Sequence, residues 1–214
     1  MFWFLRERSL KGTLEGFATA PFVFLLLFAY LPLGFALSLV NFTYGAQGHD
    51  PAIRAMLPLM TFSSLATAYG MEIFFRGIIL RFLLGRFSWE KAFWIHLALV
   101  NLALAPFLWP KGWGMEGMGF FGFLLWENLL EGFWALYFLR TGSLIATAFL
   151  HGLYNFGRFT VMNDVSGPFE TLYFYSAASD DFYWLALAIT FAASGIQVLV
   201  FRRWGLREGR KDGY

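Results

Sequence analysis

The chain has 214 residues, 58% of them apolar and 14% charged, with 28 Phe, 9 Trp and 9 Tyr. A soluble domain carries about a quarter charged residues, so this composition argues for a polytopic membrane protein. The lack of cysteine excludes disulfides, thiolate metal sites and cysteine nucleophiles, and a net charge of +2 gives no ground for a nucleic-acid partner.

The amino-terminal stretch MFWFLRERSLKG sets its charges after a short apolar run. A signal peptide has the opposite order, so none is expected. Six segments follow, near 17–41, 56–84, 92–109, 119–139, 143–162 and 183–201. Each approaches the roughly 20 residues that cross a hydrocarbon core. Backbone polar groups in lipid have no partner but the segment itself, so all six are predicted helices. Pro32, Gly34 and Pro58 are tolerable in that setting. No repeat or linker interrupts the chain. The expectation is one all-α membrane domain over 1–214, a bundle of about six transmembrane helices.

Connecting charges fix the orientation. Arg6, Arg8, Lys11, Arg81, Arg86, Lys91, Arg140, Arg202, Arg203, Arg207, Arg210 and Lys211 fall on one side of a six-span chain. The other side holds Arg54, Lys111 and the acidic group Asp164, Glu170, Asp180 and Asp181. The positive-inside rule places both termini in the cytoplasm, in a bacterial-type inner membrane. The tail RRWGLREGRK is a stop-transfer anchor or a contact for anionic lipid.

Ionisable groups at membrane depth point to function, each with its partner. In YGMEIFFRG, Glu72 and Arg76 stand four residues apart on one helix face. His96 and Asn101 share the third segment. Glu127, Asn128 and Glu131 share the fourth, and His151 and Asn155 share the fifth, in FLHGLYN. Plainer readings stand beside these. Glu72 and Arg76 can neutralise each other, and His96 can bond a carbonyl near its helix start. Glu127 and Glu131 can pair with Arg158 or line a wet cavity, and His151 with Asn155 can be interhelical glue. His49 lies in a loop. There is no HExxH, no GxSxG and no phosphate loop, no cofactor is expected, and no metal is required.

MEIFFRG, followed about 75 residues later by RTGSLIATAFLHGLYN, resembles the CPBP family of CAAX proteases and bacteriocin-processing (Abi-type) enzymes. That family's motifs are Glu-Glu-x-x-x-Arg, Phe-x-x-x-His, and His-x-x-x-Asn or Asp behind a Thr-Gly-Ser-Leu-like entrance. The resemblance covers roughly 56–160 and implies an intramembrane endopeptidase acting on membrane-delivered chains. In the family the first glutamate and the second-motif histidine activate water, and the third-motif His and Asn hold the oxyanion. By this resemblance Glu72 and Arg76 match the end of the first motif, and His151 and Asn155 match the third.

Two positions depart. Met71 stands where the first glutamate belongs, and the second-motif window VNLAL, residues 100–104, offers only Asn101. A thioether takes no proton and an amide is a poor base. Three readings stay open. The first is an endopeptidase whose base is displaced to Glu127, Glu131 or Glu72. The second is a degenerate homologue that binds a peptide, lipid or membrane partner without cutting it. The third is a small transporter or assembly subunit.

Overall fold

The computed structural model describes residues 10–38, 40–42, 51–113, 119–161, 175–177 and 181–200. His49, the acidic fifth connection and the basic tail lie outside the described residues, as does the Arg158 side chain. The charge argument for orientation therefore rests mainly on the sequence.

Helix α1 (Leu10–Leu27) is followed, after a break at Phe28 and Ala29, by the short α2 (Tyr30–Ala36). The chain re-enters as α3 (Pro51–Glu72), continues as a π-helical segment (Ile73–Leu80) and ends as α4 (Arg81–Leu84). Then come α5 (Trp89–Trp113), α6 (Gly119–Thr141), α7 (Leu144–Val161) and α8 (Asp181–Val200). These match the six expected segments with two corrections. The first segment begins earlier than 17 and is interrupted near its middle. The second runs unbroken from 51 to 84 but widens to a π-helix just after Glu72.

The expectation of an all-α chain also needs one amendment. Strand β1 (Val40–Phe42) pairs antiparallel with β2 (Tyr175–Ala177), with Asn41 opposite Ser176. This small ladder satisfies the backbone groups of two loop segments where no helix supplies partners. The rest of the described chain is helical.

Two apolar clusters hold the bundle. One joins α1, α6, α7 and α8 through Leu27, Trp126, Phe133, Trp134, Leu150, Tyr154 and Leu187. The other joins the π-helical segment, α4, α5 and α6 through Leu80, Leu83, Phe93, Leu97 and Leu136. Helix α6 belongs to both, so residues on it between the clusters are shut inside. Polar stitches lie at the edges. Trp126 Nε1 donates to Thr190 Oγ1 at 3.0 Å, and Tyr137 OH donates to Gly16 O at 2.6 Å.

The outer surface is apolar. Phe22, Leu25, Phe62, Trp94, Leu102, Phe191 and Leu199 are all more than 60% exposed and spread over α1, α3, α5 and α8. A water-facing surface avoids such a spread, and a lipid-facing one needs it. Among the described residues, the run Leu10–Gly34 is long and apolar enough to cross a membrane by length and composition.

Candidate functional site

The sequence Thr141-Gly142-Ser143-Leu144 sets the position of α7. Gly142 has φ 66°, a left-handed conformation that costs glycine nothing, and its N–H donates to Phe138 O at 2.7 Å to close α6. Ser143 then caps α7: its Oγ accepts the Ala146 N–H at 3.1 Å. His151 follows two turns later. Gly152, beside it, lets α3 come close, since a Cβ there would lie 2.9 Å from Leu65 Cα. That approach brings the end of α3 against His151.

Four ionisable side chains meet there. Glu72 and Arg76 are fully buried, His151 is 5% exposed and Glu131 is 7% exposed. Glu72 Oε1 receives Arg76 Nη1 at 3.2 Å and lies 2.8 Å from His151 Nδ1. Arg76 Nη2 donates to Glu131 Oε2 at 2.5 Å and to the Glu131 backbone oxygen at 2.9 Å. One guanidinium thus ties α3's end to α6, and one carboxylate oxygen ties it to α7. Trp134, three residues after Glu131 on α6, stacks on the His151 ring at 4.9 Å and 14°. The ring is fixed in plane by the indole and in rotation by Glu72.

The sequence candidates divide. Glu72, Arg76, Glu131 and His151 converge. Glu127, one turn before Glu131, is half-buried, and the carboxylates on Arg76 are Glu72 and Glu131. Asn155 is half-buried one turn beyond His151, and its side chain makes no hydrogen bond to a described residue. Asn101 bonds elsewhere: its Nδ2 donates to Asn128 Oδ1 and to Leu97 O at 2.7 Å, pinning α5 to α6. Met71 is half-buried beside Glu72. His96 is fully buried against Phe75, with neither ring nitrogen hydrogen-bonded. The π-helical turns start at the residue after Glu72 and carry Arg76; such turns are frequent at functional sites. Sequence reasoning missed Trp134. Its signal was the three-residue spacing from Glu131, which puts both on one face of α6.

The cluster has definite chemical limits. Arg76 engages one carboxylate oxygen and the backbone oxygen of Glu131. No group of three or more His, Asp or Glu residues among the described residues is arranged to hold a metal. What remains is an imidazole aligned by a carboxylate; the preceding turns of α3 and α7 flank a crevice of about 190 Å³ lined by Leu65, Tyr69, Ile145, Ala148 and Phe149.

The apolar-surfaced helical bundle thus closes on a buried Glu–Arg–His cluster. Residues 53–157 match the family profile described as type II CAAX prenyl endopeptidase Rce1-like. These residues run from α3 to α7 and include Glu72, Arg76, His151 and Asn155, and the match is consistent with membership of the CPBP family. No curated protein and no solved structure matches the chain.

Proposed function

We propose that this protein is a membrane-embedded CAAX-protease relative that binds a membrane-delivered partner at the Glu72–His151 cluster without cutting it. The observation that carries this reading is the absence of a base at the two departing motif positions, with one oxygen of each neighbouring carboxylate held by Arg76. Arg76 engages both Glu131 and Glu72, the carboxylate that contacts His151. Met71 and the window 100–104 supply no replacement base. Glu131, a candidate for the displaced carboxylate, has one of its two carboxylate oxygens held by Arg76. The six-span arrangement, with both termini cytoplasmic in a bacterial-type inner membrane, agrees with the basic residues at alternate connections.

The test uses membrane-reconstituted protein and a set of apolar peptides, including prenylated carboxyl termini. Binding is read by a labelled peptide and cleavage by mass spectrometry, with His151→Ala alongside. The expected result is binding that depends on His151 and no product. Product formation abolished by His151→Ala overturns the reading.

A further inference from the structure

The polar atoms of the cluster fall into three sets. Glu72 Oε1, Glu131 Oε2, His151 Nδ1 and both terminal Arg76 nitrogens are hydrogen-bonded to one another. Glu72 Oε2 and Arg76 Nε are shut in without a partner. His151 Nε2 and Glu131 Oε1 have no partner among the described residues but are not shut in, in keeping with the 5% and 7% exposure of their residues. These two atoms are what the cluster offers to a ligand.

Both are acceptors. An ionised carboxylate only accepts, so Glu72 Oε1 requires the proton of a neutral His151 to sit on Nδ1. Nε2 is then a bare lone pair. Glu131 Oε1 is the second lone-pair site on a carboxylate whose other oxygen is held by Arg76. The charges are unequal as well, with two carboxylates facing one guanidinium. With a neutral imidazole the four described side chains carry one net negative charge. A ligand that supplies N–H donors and one positive charge completes both the hydrogen bonds and the charge.

We propose that the cluster is a binding site for a primary ammonium carried on an apolar chain. The proposal rests on the binding reading above and names its ligand chemistry. The crevice between α3 and α7 offers apolar walls about one helical turn from the cluster: Tyr69 and Ala148, which line it, stand three residues before Glu72 and His151 respectively. A carboxylate or phosphate headgroup meets Glu131 as a like charge and finds no accessible donor on the cluster. A quaternary ammonium brings the charge without the donors.

The experiment uses the full chain in phosphatidylcholine nanodiscs, with dodecylamine, dodecyltrimethylammonium and dodecanoate as probes. Thermal stability and histidine 15N spectra are the readouts. Dodecylamine is expected to raise Tm saturably and to shift the His151 Nε2 resonance. The other two probes require about 10-fold more or fail, since a charge-assisted hydrogen bond is worth about 10-fold or more in affinity. Glu131→Gln weakens dodecylamine by a similar factor. Should that variant not fold, the spectrum of the unmodified protein decides: a bare Nε2 supports the site, and an Nε2 carrying a proton overturns it. Equal potency of all three probes, or preference for dodecanoate, also overturns it, because an imidazolium at His151 would neutralise the cluster from within. Competition by phosphatidylethanolamine assigns the amine to a lipid headgroup, and competition by an apolar peptide with a free amino terminus assigns it to a peptide. Competition by neither counts against the site. Peptide cleavage with ammonium selectivity intact sinks the non-cleaving reading alone. Loss of selectivity in an inert protein sinks the ammonium site alone.

Discussion

Arg76→Met removes the one cation that joins α3's continuation to α6 inside the bundle. Arg76 has no exposed surface and makes three hydrogen bonds, two of them to Glu131 and one to Glu72. Among the described residues, the substitution leaves Glu72 and Glu131 with no counter-ion but His151. Breaking one member of a buried ion network typically costs about 3–5 kcal/mol. A lysine keeps the charge but not the fork, so Arg76→Lys should recover only part of the loss. Removing the charges together is a different perturbation: Glu72→Gln with Arg76→Met and Glu131→Gln leaves no uncompensated ion and should be milder than Arg76→Met alone. Reversible unfolding in mixed micelles, followed by far-UV circular dichroism, gives the ordering. An Arg76→Met protein within about 1 kcal/mol of the parent refutes the claim that the network is a closed structural unit, since that is the range of an exposed pair.

Gly152→Ala should destabilise by about 1–3 kcal/mol, because its Cβ would press on Leu65 backbone and force α3 off α7; the same unfolding assay checks it. Gly70→Ala, where a Cβ meets nothing within 4 Å, is its control and should change stability by less than about 1 kcal/mol. His96→Leu should leave stability unchanged or raise it, since it replaces a fully buried ring whose nitrogens have no partner; a loss above about 2 kcal/mol would mean that His96 has a structural partner after all.

Much of this site was legible in the sequence, and particular residues show where legibility ended. Glu72 and Arg76 are one helical turn apart, so their pairing follows from helix geometry alone. Thr141-Gly142-Ser143 announced a helix stop and a helix start, and the φ of Gly142 and the Ser143 cap are what those residue types do. Which of Glu127 and Glu131 meets Arg76 was not readable. Both lie on one face of α6, and the choice depends on how far α6 slides against the π-helical segment, a matter of packing between two apolar clusters. The π-helical turns themselves left no mark in IFFRGIIL, whose residues suit an ordinary helix equally well. Asn101 was read against a family motif, whereas its amide is used to join α5 to α6 through Asn128. The break after Leu27 was missed because the run Leu10–Gly34 is continuously apolar, and hydropathy does not register a turn inside such a run.

The central claim, that the cluster is built to bind and not to hydrolyse, is tested most directly by turnover of an embedded peptide in two forms of the reconstituted protein. One is the unmodified chain and the other carries Met71→Glu with Leu104→His, each also made with His151→Ala. The account predicts no product from the unmodified chain, and only slow, His151-dependent product from the doubly substituted one, as a general base and its partner contribute roughly 10²–10⁴ in rate. Robust cleavage by the unmodified chain, lost on His151→Ala, would contradict it.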